Sequence, residues 1–185
     1  MIVIYILCII ELNNKIHEQK LCQKKKGSKM RISSHSTSSD VNIKLDEISN
    51  ELKEIGVNYV GHGVVNHKGE HTGYFSDRRW GKVYIEKGYF FSDPVLQVFD
   101  QSPMKIIDWF IVENMTKNNK ILHERIQYTG IVGGITLVSQ LQNHIEFLNL
   151  GFSNKISTTK YLLKHHLLLN IYAQMFRQYH TYQRI

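Results

Sequence analysis

Leu45, Ile48, Leu52 and Ile55 recur at intervals of three, four and three residues, which is the period of one helical face. An amphipathic helix is expected there. Asp40 or a nearby serine can cap its start, and Gly56 ends it, because glycine enters the left-handed conformation without a steric penalty. The pattern then changes period: VNYVGHGVV and EHTGYF read as two strands around a tight turn at Lys68-Gly69. A short helix follows, capped by Ser76 or Asp77, carrying Trp80 and Tyr84, running through Lys87 and closed by Gly88. Asp93 opens a second short helix, with Pro94 in its first turn, where the missing N–H costs nothing, and this helix runs to about Gln101.

Beyond the segment around Trp109, Ile121, Leu122, Arg125 and Ile126 fall in helical order before Gly130. GIVGGITLVS and HIEFLNLGFS read as two further strands separated by polar residues, and from Thr158 a helix runs nearly to the end of the chain. The expected fold is therefore α+β: an antiparallel sheet of about five strands with helices on both faces, an α-β-α sandwich. Residues 40–182 form the expected domain, and residues 1–39 a leader or linker, with Met30 as an alternative start.

Composition narrows the function classes. The net charge of +7 is unevenly placed: residues 1–30 carry +4 and residues 151–185 carry +5, whereas residues 31–150 come to −2. A nucleic-acid-binding body would carry its basic stripe on the fold itself, and this body is slightly acidic. The apolar start MIVIYILCII is ten residues long, about half of the ~20 that span a bilayer, and it lacks the basic flank of a secretory signal. It leaves a surface anchor as an alternative. Cys8 and Cys22 have no metal-type spacing and form no disulfide framework, so a reducing, cytoplasmic setting is expected.

No nucleophile elbow, phosphate loop, HExxH or CxxC occurs, which argues against an enzyme, and no cofactor is expected. His62, His67 and His71 cluster around the turn among glycines, without a carboxylate in ligand register, and an exposed hairpin explains them better than a metal site. The stronger constellation is Trp80, Tyr84 and Asp93. Trp80 and Tyr84 stand four apart and share a helical face, and Asp93 begins the next element, so two aromatic walls and a carboxylate can meet. Core packing and an N-cap role for Asp93 explain the same spacing.

Trp80, Tyr84, the run GYFFSDPV ending in Asp93-Pro94, Pro103, Trp109, GIVGGITL and FLNLGFS together resemble the autoinducer-binding domain of LuxR-type quorum-sensing regulators over roughly residues 45–180. That resemblance implies an antiparallel sheet between helices and a site for an acyl-homoserine lactone or a similar amphiphile. By the same resemblance Trp80 would donate to the lactone carbonyl, Asp93 would accept the ligand amide, and Tyr84 and Trp109 would pack beside the ligand. Gly134 would be kept small where sheet and pocket approach, and Asn149 would stand at a strand position reaching the ligand. Ser76 occupies the place of a tyrosine common in the family, and the family's helix-turn-helix domain, which should follow the last helix, is not within the 185 residues. Operator binding is therefore not expected. The expectation is a sensor domain of transcription regulation, truncated before its DNA-binding domain, with homodimerisation or pairing with a full-length relative through the last helix. A PAS-like or GAF-like metabolite sensor and a degenerate regulator that binds no ligand are the alternatives.

Overall fold

The computed structural model describes residues 39–67, 69–101, 105–116 and 119–181. The expected leader, apart from Ser39, and the expected roles of Lys68 and Pro103 lie outside the described residues. Helix α1 (Ser39–Glu51) tightens into a 3-10 turn over Leu52–Ile55, and Gly56 ends it at φ +86° with its N–H bonded back to Leu52 and Lys53. Strands β1 (Tyr59–Asn66) and β2 (His71–Phe75) form the first hairpin. Helix α2 (Arg78–Glu86), a 3-10 turn over Tyr89–Ser92 and helix α3 (Pro94–Gln101) lead to strand β3 (Ile106–Asp108) and helix α4 (Trp109–Met115). Helix α5 (Lys120–Thr129) precedes the second hairpin, β4 (Gly133–Gln140) and β5 (His144–Phe152), and helix α6 (Thr158–Phe176) continues into a π turn over Arg177–Thr181.

The five strands form one antiparallel sheet in the order β2-β1-β5-β4-β3. Because side chains alternate along a strand, β1, β2, β4 and β5 each feed two cores. Val60, Ile135, Leu148 and Leu150 point to the face covered by α1 and α6, where Leu45, Leu52, Leu169 and Phe176 are buried. Tyr59, Val138 and Phe147 point to the opposite face, where they meet Trp80, Tyr89, Val95, Phe99, Trp109, Val112 and Ile121 from α2 to α5. Full burial of each Leu or Phe stabilises the fold by about 1.5–3 kcal/mol before entropy is counted. The result is the expected sandwich with helices on both faces.

Four details correct the expectations. The sequence pattern leaves residues 105–116 without an assigned element, and they form β3 and α4. Residues 89–92, left unassigned between the two short helices, form a 3-10 turn, Tyr89–Ser92. Ser76 is not a helix cap: Asp77 caps α2, accepting from the N–H groups of Arg79 and Trp80, while the Ser76 hydroxyl accepts from the Val60 N–H at 2.9 Å. The hairpin histidines are not collectively exposed either. His62 is 2% exposed and lies against His180, whereas His71 points to the other face and meets the Phe90 ring at a tilt of 45°. Strand alternation sets these two residues on opposite sides of the sheet, so they do not converge on a common ion. No helix among the described residues is long and apolar enough to cross a membrane.

Candidate functional site

The face of the sheet under α2 to α5 collects the residues singled out from the sequence. Asp77 starts α2, and the four-residue step then stacks Trp80 and Tyr84 edge to face, with ring centroids 5.7 Å apart. Tyr89 closes on both rings, at 6.1 Å from each. At the start of α3, Asp93 accepts the Tyr84 hydroxyl at 2.7 Å through one oxygen and the Val95 N–H at 2.8 Å through the other. The expected cap and the expected neighbour of Tyr84 are thus the same carboxylate.

Trp109 enters from α4. Its indole N–H donates to the Thr136 hydroxyl at 2.8 Å, and that hydroxyl donates onward to the Asn149 side-chain oxygen at 2.7 Å. Thr136 and Asn149 are paired across β4 and β5, so the sheet register aligns the chain of bonds. The Trp109 ring lies flat over β4 because Gly134 has no side chain: a Cβ there would stand 2.4 Å from the ring and 2.5 Å from the Leu150 carbonyl oxygen. Trp80, Tyr84, Asp93, Trp109, Gly134 and Asn149 therefore share one face of the sheet and one helical layer.

Two residues of this face were not singled out. Tyr59, on β1, is buried in the same cluster as Trp80. Arg125, on α5, is 9% exposed, and its guanidinium carbon sits 3.9 Å from the Trp109 ring centroid. The signal for Arg125 was present in the sequence: it continues the apolar stripe of Ile121 and Leu122, and a charge on a buried stripe is uncommon.

The electrostatics follow from burial. Desolvation is the largest influence on Asp93 and pushes its carboxyl up, against the bonds from Tyr84 and Val95 and the nearby Arg125. Burial also pushes Tyr59 and Tyr84 up, so both remain neutral hydroxyl donors, and it pushes Arg125 down. The site thus holds one buried anion, one buried cation and several neutral donors between aromatic walls. That composition suits an amphiphile with a compact polar head. An open cleft of about 600 Å³ lies elsewhere, beside α1 and the start of α2, lined by Asp46, Lys53, Tyr74 and Arg78 among others. It contains none of the six residues, most of its lining residues carry polar or charged side chains, and the Arg78 guanidinium is already bound to both Asp46 oxygens at 2.9 Å.

The fold is that of the autoinducer-binding domains of LuxR-type regulators. The chain is similar to the crystal structure of Escherichia coli SdiA, with TM-score 0.57 and 18% identity over 76% of this chain and 62% of that one. It is similar to SdiA in complex with octanoyl-rac-glycerol, with TM-score 0.56 and 18% identity over 75% of this chain and 59% of that one. It also resembles CepR2 from Burkholderia cenocepacia, described as an N-acylhomoserine lactone dependent LuxR family transcription factor, with TM-score 0.58 and 14% identity over 77% of this chain and 92% of that one. The match thus spans about three-fifths of the SdiA chains. No protein-family model and no curated protein matches the chain.

Proposed function

We propose that this chain is a sensor domain that binds a small acylated amphiphile between the sheet and helices α2 to α5, and that it acts by binding rather than catalysis. The observation that carries the reading is the convergence of Trp80, Tyr84, Asp93 and Trp109 on one buried face of a fold shared with acyl-lactone-dependent regulators. Trp80 and Asp93 would hold the polar head, and Trp109, Gly134 and Asn149 would form the floor. The Asp93 carboxylate keeps acceptor capacity for this purpose: two carboxylate oxygens offer about four lone-pair sites, and the Tyr84 hydroxyl and the Val95 N–H each take one. The remaining capacity is what a ligand amide would use.

A ligand bound only to the folded state stabilises it by mass action, by about 2.7 kcal/mol at a hundredfold excess over its Kd. Thermal melting with N-acylhomoserine lactones of several chain lengths and with octanoylglycerol tests the reading. At least one member should raise the Tm, and no shift with any of them would overturn it.

We further propose that α6 pairs two such domains. Leu163, Leu167 and Ile171 recur every four residues and are 75%, 69% and 53% exposed, an apolar stripe on the side of α6 away from the core. Sedimentation of the wild type should show a dimer that Leu167→Lys dissociates. A wild type that stays monomeric at all concentrations would remove the pairing.

A further inference from the structure

Arg125 is the least expected group in this core. A buried guanidinium is costly unless an anion and hydrogen-bond acceptors compensate it. Here the guanidinium carbon lies over the Trp109 ring, 3.9 Å from its centroid, while the Nε–H has no hydrogen-bond partner among the described residues. No ion pair to Arg125 forms among the described residues; Asp93 and Glu113 act on it only through space. Stacking on an indole leaves the donor edge of the guanidinium available in its own plane, and that edge matches a carboxylate bidentately. Asp93 is bonded to Tyr84, and Arg125 lies against Trp109, and both aromatic rings belong to the same core cluster.

We infer that the head group read at this face carries a free carboxylate: the ligand class is an N-acylated amino acid, its amide N–H held by Asp93 and its carboxylate by Arg125. The inference rests on the amphiphile-binding reading above and specifies its head. A neutral lactone would offer Arg125 only a carbonyl acceptor and would leave the guanidinium without a directly bonded anion. An acyl amino acid presents a donor for the buried anion and an anion for the buried cation, so both groups become paired on binding. The acyl chain would then lie among the apolar residues Val95, Phe99 and Phe147 of the same core.

A matched pair of probes tests this: N-octanoyl-L-homoserine lactone and its ring-opened acid, N-octanoyl-L-homoserine, which differ only in the ester bond. At about pH 6 the acid is ionised, since α-carboxyl groups titrate near 3.5. Titration of the full chain, read by calorimetry, should give at least tenfold tighter binding for the acid. Arg125→Gln should erase that preference, and Arg125→Lys, which keeps the charge, should retain part of it. Equal or tighter binding of the lactone by the wild type would overturn the carboxylate assignment while leaving the amphiphile site standing. Failure of both probes and of octanoylglycerol to bind would overturn the site itself. The wild-type comparison decides the matter even where a variant does not fold.

Discussion

Tyr84 donates its hydroxyl hydrogen to Asp93 across 2.7 Å, and this bond joins the two elements that the sequence places nine residues apart. It does not fully compensate the carboxylate. Burial still holds the Asp93 pKa above its ordinary value, so the folded chain binds this proton more tightly than the unfolded chain does. Stability from this group is therefore greatest at low pH and is lost as pH rises from the unfolded carboxylate range through the raised value. At neutral pH, Asp93→Asn removes a desolvated charge and keeps an acceptor for the Val95 N–H. The ligand-free variant should melt at or above the wild-type Tm at pH 7, and acyl-ligand binding should weaken about tenfold or more, the cost of losing a charge-assisted bond of ~1.5–3 kcal/mol. Melting curves and calorimetry on the same samples check both halves.

Gly134→Ala introduces a methyl group with no space to occupy, since the Leu150 carbonyl oxygen and the Trp109 ring would both lie at about 2.5 Å or closer. A shift of the ring alone cannot relieve the backbone contact. Overpacking of this kind costs about 1–3 kcal/mol. Urea denaturation should show that loss, together with a changed near-ultraviolet signal from Trp109.

Thr136 is both acceptor for Trp109 and donor to Asn149, and it is fully buried. Thr136→Val keeps the shape and strands an indole N–H and an amide oxygen at once. A loss of about 1–3 kcal/mol per stranded group is expected. Thr136→Ser, which keeps the hydroxyl, should recover most of it in the same denaturation experiment.

On the opposite face, His62 and His180 meet through their Nδ1 atoms at 2.6 Å, tying the chain after α6 to the sheet. One ring must donate and the other accept, so a second proton breaks the bond. Burial, then the neighbouring His180, Arg177 and His144, lowers the His62 pKa well below its ordinary value. A histidine with a depressed folded pKa contributes stability above about pH 6.5, lost as pH falls below it. The Tm should drop between pH 7 and 5, and His62→Asn, which retains a polar atom near the Nδ1 position, should flatten that dependence. Arg177 and His144 share Glu146 beside this pair, at 2.8 and 2.9 Å.

The element order was legible because its punctuation is local. Gly56 and Gly88 stand at positive φ where the apolar periods end, and Asp77 and Asp93 accept the N–H groups that open α2 and α3. What escaped depends on distant partners. β3 is three residues long, too short for alternation to register, and is defined by its pairing with Ile135, Thr136 and Leu137 of β4 at the sheet edge. His62 looked like a hairpin residue until α6 and the following turn covered it. For the site, spacing alone brought Trp80 to Tyr84 and Tyr84 to Asp93, whereas Trp109, Gly134 and Asn149 came from family resemblance. Tyr59 gave no local signal. Arg125 did, as a charge within an apolar stripe, but its meaning required seeing Trp109 stacked on it.

The chain contains two tryptophans, and both lie at the proposed site. A proton–nitrogen correlation spectrum of the ligand-free protein should therefore show two indole N–H signals, one from Trp80 and one from Trp109, whose N–H is bonded to Thr136. On titration with the octanoyl probes, at least one of them should move both signals in saturable fashion. Binding that leaves both in place would put the ligand elsewhere, with the cleft beside α1 the first place to look, and would contradict the proposed site.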